Sequence, residues 1–113
     1  MQIDEVRTFA LTLPGATEAP HHELWSFRVN DKIFATYPGD GLRVHVFVDE
    51  AQTAAVVAAH PAAAEELWWG RKLAGVRLRL DVAPDALVRS VLVDAWRRKA
   101  PRRVVAVYDA AQQ

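Results

Sequence analysis

Residues 25–46, WSFRVNDKIFATYPGDGLRVHV, decide the fold. Apolar and polar residues alternate in 25–29 and again in 42–46, which is the pattern of strands with one buried face. Residues 32–37 form a further strand-like run between these two. Asn30-Asp31 suits a two-residue turn because both residues tolerate positive φ. Three strands joined by short turns predict an antiparallel meander.

Helical spacing of apolar residues flanks the meander on both sides. Residues 3–13 are predicted to form a first helix, and residues 16–22 a polar loop before the first strand. Asp49, with Gln52 three residues later, predicts a capping box at the start of a second helix. The last long helix is predicted to begin near Pro84, since proline is favoured at the first helical position.

Two further strands are predicted between the second helix and the last long helix. Residues 67–69 indicate a short strand inside 61–74, a region without a clear pattern, and residues 75–80 alternate. A break at Ala100-Pro101 precedes a short C-terminal helix. The order α-β-β-β-α-β-β-α, followed by that short helix, predicts an α+β sandwich with one antiparallel sheet and helices packed on one face.

Length and composition are typical of one globular domain. With 113 residues, the chain 1–113 is expected to form a single domain. Apolar residues make up 51% and charged residues 25%, which excludes a disordered chain. The absence of cysteine excludes disulfides and thiolate metal sites. The longest apolar run, 54–59, is too short to cross a bilayer, and the start of the chain does not fit a signal peptide. We therefore expect a soluble, cytoplasmic protein.

The net charge of zero hides an uneven distribution. Residues 1–56 carry four basic and eight acidic side chains, whereas residues 57–113 carry ten basic and six acidic ones. Such asymmetry indicates either a surface that binds a polyanion or two solvated faces without a partner. Charge alone leaves both interpretations open.

Four short motifs resemble those of the MmcQ/YjbR-like family of small bacterial proteins. They are Leu13-Pro14-Gly15, Ser26-Phe27-Arg28-Val29, Lys32-Ile33-Phe34-Ala35 and Ala100-Pro101-Arg102-Arg103. The resemblance extends over nearly the whole chain and implies a frataxin-like (CyaY-like) sandwich, in agreement with the order of elements. It also implies DNA binding through a double-wing arrangement. The biological role of the family is poorly defined.

Six basic side chains are candidates for contacts with DNA phosphates. They are Arg28, Arg43, Arg71, Lys72, Arg77 and Arg79. Strand alternation directs the four strand arginines outward, and the other two lie at the tip of a predicted hairpin. Polar residues alternate on any solvated antiparallel face, however, and a neutral chain is not typical of strong nucleic-acid binders. The leading hypothesis is nevertheless a non-enzymatic DNA-binding protein.

A second basic cluster lies at the end of the last long helix. It contains Arg97, Arg98, Lys99, Arg102 and Arg103. Cations are favoured at a helix C-terminus, and the spacing predicts i,i+4 pairs of Asp85 with Arg89 and of Asp94 with Arg98. The cluster is therefore interpreted as a solvated helix end.

The tryptophans provide the alternative hypothesis. Trp25 and Trp96 lie on apolar stripes and are predicted to be in the core. Trp68 and Trp69 are neighbours on a predicted strand, so one of them should point outward, where it can stack on a base or fill a partner's pocket. They indicate a module that binds a protein or a small ligand through the open sheet face.

Catalytic and metal-binding motifs are weak in this sequence. It contains no glycine-rich phosphate loop and no H-E-x-x-H or G-x-S-x-G motif. His21 and His22 are adjacent, and adjacent residues of an extended segment point to opposite faces, so we expect no metal. Glu65 and Glu66 are interpreted as solvated. No enzyme activity and no cofactor are predicted.

Overall fold

A six-stranded antiparallel sheet forms the centre of the molecule in the computed structural model, which describes residues 1–113. The strands are β1 (Thr17–His21), β2 (Leu24–Val29), β3 (Lys32–Pro38), β4 (Arg43–Val46), β5 (Ala64–Trp69) and β6 (Lys72–Arg79). Their order across the sheet is β1-β2-β3-β4-β6-β5. The helices are α1 (Ile3–Thr12), α2 (Glu50–Ala59), α3 (Asp85–Lys99) and α4 (Arg102–Ala111). None of the four helices is both long enough and apolar enough to cross a membrane.

The helices cover one face of this sheet. Helix α3 packs on β3 and β4, α2 packs on β5 and β6, and α1 packs on α3. Phe27, Ala35, Val46 and Val76 lie side by side on four neighbouring strands and are fully buried beneath the helices. The predicted fold class, one antiparallel sheet with helices on one face, is confirmed.

The predicted order of elements lacks one strand. Residues 16–22 were expected to form a polar loop, whereas Thr17–His21 pairs with β2 along its whole length. This strand contains Pro20 and shows no apolar alternation, because it lies at the edge of the sheet. The strand expected at residues 67–69 is also longer and begins at Ala64.

Trp96 and Trp25 were both predicted to be in the core, and only one of them is. Trp96 of α3 is fully buried, and its indole Nε1–H donates to the carbonyl oxygen of Pro14 at 3.0 Å. That hydrogen bond satisfies the indole and fixes the chain after α1 on the helix layer. Trp25, in contrast, is 43% exposed, so its assignment to the core is wrong.

An ion pair connects α1 to the edge of the sheet. Arg7 donates from Nε and Nη2 to the carboxylate of Glu18, at 2.9 and 2.8 Å. The hydroxyl of Tyr37 donates to the same carboxylate at 2.6 Å. The hydrogen bond from Arg7 holds the pKa of Glu18 below its ordinary value, and burial followed by the bond to Glu18 raises the pKa of Tyr37.

Candidate binding face and cleft

The sheet side opposite the helices, here called the open face, carries a row of mostly polar residues that crosses all six strands. The strand register places them next to one another in the order Ala19, Ser26, Thr36, His45, Arg77 and Glu65. Side chains directly opposite one another on paired strands share a face, so this register fixes the row. We call it the polar row.

Hydrogen bonds connect the residues of the polar row and determine which ring nitrogen of His45 carries the proton. Arg77 donates from Nε to Nε2 of His45 at 3.4 Å and from Nη1 to Oε1 of Glu65 at 2.8 Å. Because Nε2 accepts, the ring proton lies on Nδ1, which is 3.4 Å from the hydroxyl oxygen of Thr36. Burial, together with the charge of Arg77, lowers the pKa of His45. His45 is therefore a neutral link between a hydroxyl and a guanidinium.

The four predicted strand arginines all lie on the open face. Arg28 donates from Nε to Oγ of Ser26 at 3.0 Å, which places it beside the polar row. Arg43 and Arg79 are direct partners on β4 and β6, and Arg77 follows on the same side of β6. Two guanidinium groups on directly opposite positions repel each other, and an anion beside them offsets that repulsion.

Carboxylates neutralise two of these four arginines. Arg77 pairs with Glu65 at 2.8 Å, and Arg79 pairs with Asp81 at 3.2 Å. Arg28 and Arg43 form no ion pair. Glu65, expected to be simply solvated, is thus the partner of a predicted site residue, and the hydrogen bond from Arg77 lowers its pKa. The open face keeps two unpaired guanidinium groups.

The other two predicted basic residues lie in the turn between β5 and β6. Arg71 lies in the turn itself, Lys72 is the first residue of β6, and both are exposed without an ion pair. Trp68 and Trp69 precede them at the end of β5. A bulge between Leu67 and Trp68 interrupts the alternation of β5. As a result, both tryptophans are exposed, by 50% and 55%, rather than one of them.

A cleft of about 600 Å³ lies where β4 ends and the chain turns toward α2. Its apolar and aromatic wall is formed by Leu24, Ile33, Phe47, Val48, Trp69, Leu73 and Ala74. Its polar residues are His21, His22, Thr36, His45, Asp49, Glu50, Lys72, Arg98 and Lys99. The rings of Trp69 and Phe47 meet edge to face with centroids 4.9 Å apart. The polar row therefore continues at His45 and Thr36 into a half-open, partly aromatic cleft.

The basic end of this cleft is a feature that the sequence analysis missed. Arg98 donates from Nη1 to the carbonyl oxygen of Phe47 at 2.6 Å, which anchors the end of α3 beside the cleft. Burial and the charges of Arg98, Lys32 and Lys72 lower the pKa of Lys99. Four cations from three distant segments thus meet, and nothing in the local sequence indicates that meeting.

The ion pairs predicted for the last long helix do not form. Asp85 accepts a hydrogen bond from the amino group of Met1 at 3.0 Å, and Arg98 binds Phe47 instead of Asp94. Arg97 pairs with Asp109 of α4 at 2.8 Å. Contacts between elements thus replace the expected contacts along one helix. The cluster itself is exposed as expected, except for Lys99, which is half-buried.

The two adjacent histidines also depart from expectation. His22 adopts a left-handed backbone conformation with φ of 57°, which turns its ring toward that of His21. The ring centroids are 4.5 Å apart, and both side chains line the cleft. No group of three or more possible metal ligands converges here or elsewhere in the molecule.

Comparison with known proteins places this architecture in a family. Residues 11–98 match the sequence model of the YjbR family. The chain belongs to the YjbR family. The crystal structure of Deinococcus radiodurans protein DR2400, described as a DUF419 domain, has a similar fold with a TM-score of 0.73. It is 25% identical in sequence, and the similarity covers 85% of this YjbR-family chain and 77% of that chain. No curated protein matches the sequence significantly.

Proposed function

We propose that this YjbR-family protein is a non-enzymatic DNA-binding protein whose open face contacts phosphates. Arg28, Arg43, Arg77 and Arg79 make the contacts on the sheet, and Arg71 and Lys72 make them at the β5–β6 turn. The observation that carries the proposal is that two guanidinium groups of this face, those of Arg28 and Arg43, have no carboxylate partner. Arg43 also lies directly opposite Arg79, and a phosphate bound beside them relieves the repulsion that the ion pair of Arg79 with Asp81 leaves.

The guanidinium groups lie on the surface of the sheet, with Arg43 and Arg79 exposed and Arg28 and Arg77 half-buried, which supports contact with the DNA backbone rather than with base edges. A flat sheet face presents no helix or ribbon to enter a groove deeply, so the contacts are electrostatic and independent of sequence. Because the whole chain is neutral, binding depends on the local field of the open face. We expect binding at low ionic strength that weakens steeply as salt rises.

Fluorescence anisotropy with a labelled duplex tests this proposal. Four of the six candidate cations, Arg28, Arg43, Arg71 and Lys72, have no carboxylate partner, and four phosphate contacts give a slope of about −3 to −4 in log K against log salt. Substituting Arg28→Ala together with Arg43→Ala is expected to reduce that slope by about 2, since each phosphate contact contributes about 0.9.

The matched control removes the same charge from the other side of the molecule. Arg102 and Arg103 are exposed residues of α4, in the helix layer, and their joint substitution by alanine lowers the net charge equally. The control is expected to keep the wild-type slope. Absence of binding in 50 mM salt, or equal losses in the two double variants, would contradict the proposal.

A second candidate function is the binding of a protein or small ligand through Trp68 and Trp69. The exposure of both side chains on an edge strand favours it, because large exposed aromatic residues are typical of binding surfaces. A shift of the tryptophan fluorescence on addition of a small ligand, without any shift on addition of DNA, would favour this function over the first.

A further inference from the structure

The cleft beside the polar row combines the three features of a site for a small molecule. Its volume of about 600 Å³ lies within the range of about 300–1,000 Å³ usual for such sites. It has an aromatic wall, a basic end and a small set of fixed polar groups between them. Each feature restricts the chemistry of the molecule that fits.

The aromatic wall consists of Trp69 with Phe47 behind it. The edge of one ring meets the face of the other at a centroid distance of 4.9 Å, so Phe47 holds the indole in place. Trp69 remains 55% exposed, whereas Phe47 is only 8% exposed. Phe47 and Ala74 belong to a small buried cluster separate from the main core, and Ile33 packs against it. A planar apolar group can therefore stack on Trp69 and contact the buried apolar side chains beneath it.

The basic end consists of Lys72, Arg98 and Lys99, none of which forms an ion pair. Two carboxylates line the same cleft, those of Asp49 and Glu50. Asp49 is engaged as the cap of α2, because its Oδ1 accepts from the backbone N–H of Gln52 at 2.7 Å.

The balance of charge at this end favours an anion. Burial lowers the pKa of Lys99, and the charges of Arg98, Lys32 and Lys72 lower it further, so Lys32 adds its charge to those of the three lining cations. Repulsion among four cations is relieved when an anionic group binds between them.

Thr36 and His45 supply the fixed polar groups. The Nδ1–H of His45 points to the hydroxyl oxygen of Thr36, which leaves the hydroxyl proton of Thr36 free to donate. Thr36 is 4% exposed and lines the cleft, so its hydroxyl is accessible only from the cleft. The cleft thus offers one oriented donor to a ligand.

We propose that this cleft binds a small molecule that joins an aromatic ring to an anionic group. The ring lies against Trp69, the anionic group lies between Lys72 and Lys99, and a polar atom accepts from Thr36. This inference rests on the second candidate function and specifies its ligand. An aromatic carboxylate and a nucleoside monophosphate share this chemistry, and the experiment separates them.

Isothermal titration calorimetry with two probes and their neutral counterparts tests the chemistry of the ligand. The probes are 2-naphthoate and adenosine monophosphate, compared with 2-naphthamide and adenosine. We expect one anion to bind about tenfold more tightly than its neutral counterpart, a difference of about 1.4 kcal/mol, because only the anion gains charged contacts at the basic end. The anion that binds more tightly shows whether the ligand is an aromatic carboxylate or a nucleoside monophosphate.

Paired variants locate the site. Trp69→Ala is expected to weaken binding about tenfold, as truncation of a central aromatic contact does. Trp68→Ala is the matched control, since Trp68 is equally exposed but does not line the cleft, and it should leave affinity within about twofold. Lys99→Met, which keeps the apolar stem, should weaken the anion about fivefold, whereas Arg102→Met should not.

Several outcomes would overturn the inference. They are equal binding of an anion and its neutral counterpart, no binding of either anion at millimolar concentration, and equal effects of Trp68→Ala and Trp69→Ala. Circular dichroism of each variant separates loss of the site from loss of the fold. The Arg28→Ala, Arg43→Ala variant should retain ligand affinity because neither residue lines the cleft, so failure of DNA binding and failure of the cleft are distinguishable.

Discussion

At the scale of single residues, Gly75 determines how closely β6 approaches the end of β4. A Cβ atom at this position would lie 2.1 Å from the carbonyl oxygen of Val46 and 2.9 Å from the Cα of Phe47. Both neighbours are backbone atoms, which cannot move aside as the end of a side chain can. The close approach is needed because Phe47 leaves the sheet here and forms the floor of the cleft.

Gly75→Ala is therefore expected to destabilise the protein by about 3 kcal/mol, at the upper end of the cost of overpacking a core. Urea unfolding followed by tryptophan fluorescence measures the change. Gly39→Ala is the control, because nothing lies within 4 Å of its added Cβ, and it should be nearly neutral. Equal losses in the two variants would show that the close contact is not the cause.

Thr53 presents the opposite case, a buried polar group without a partner. Its side chain on α2 is fully buried, and its hydroxyl makes no hydrogen bond. Thr53→Val, which keeps the shape, is expected to stabilise the protein by about 1 kcal/mol because the desolvated hydroxyl is removed. Thermal unfolding measures this, and Thr36→Val should have the opposite sign, since Thr36 is hydrogen bonded to His45.

At the scale of the elements, the group formed by Arg7, Glu18 and Tyr37 holds α1, β1 and β3 together. A bidentate arginine and a tyrosine hydroxyl converge on one carboxylate of an edge strand. The three residues come from segments that show no relation in the sequence. This contact explains how β1, which has little apolar character, is kept in the sheet.

The lowered pKa of Glu18 predicts sensitivity to acid. Its pKa in the folded state lies below the ordinary value of 4.5, so its stabilisation is present above pH 4.5 and is lost as the pH falls through the folded pKa. Glu18→Gln should reduce stability at pH 7 by about 1–2 kcal/mol and should flatten the acid dependence. Urea midpoints at neutral and acidic pH measure both effects. The exposed Glu23→Gln is the control, and it should follow the wild type.

Some of the helices and strands could be predicted from the sequence and others could not. Val76 and Leu78 alternate with polar residues and are buried as predicted, because a strand covered on one face carries that pattern. The capping box of Asp49 and Gln52 is also confirmed. Strand β1 was missed because an edge strand held by Glu18 and by backbone pairing needs no apolar pattern.

At the scale of the whole molecule, the charge of the open face depends on its carboxylates as much as on its arginines. Glu65 forms an ion pair with Arg77, and Asp81 forms one with Arg79. The face is therefore less positive than the number of guanidinium groups indicates. The strand positions of these arginines were predictable from alternation. Their pairing was not, because Glu65 and Arg77 meet only through the register of β5 and β6.

Removing one of these carboxylates is expected to strengthen DNA binding. Glu65→Gln frees Arg77 for a phosphate, so the salt dependence should become steeper by about one unit of slope. Glu66→Gln changes the net charge equally but lies opposite Val76, on the side covered by helices, and should leave the slope unchanged. Anisotropy titrations of both variants measure this, and a slope for Glu65→Gln equal to the wild type contradicts it.

The cleft was inaccessible to sequence reasoning for a geometric reason. Leu24, Ile33, Phe47, Trp69 and Lys99 come from separate segments, and no local pattern relates them. Only the early end of β4, which lets the chain cross from the sheet to α2, leaves the gap that they surround. Several cleft residues drew attention in the sequence for other reasons, such as Trp69 for exposure, Lys72 for charge and Asp49 as a helix cap, but nothing there related them to one another.

Helix α4 differs from the other helices in having no buried residue. It contacts α3 through the rings of Trp96 and Tyr108, 5.0 Å apart, and through the pair of Arg97 with Asp109, and its Val104 and Val105 are only partly buried against the core. Few contacts must break for it to detach, so it can open while the sheet remains intact. Its amide protons should accordingly exchange with deuterium orders of magnitude sooner than those of β3 and β6, which become accessible only when the entire molecule unfolds.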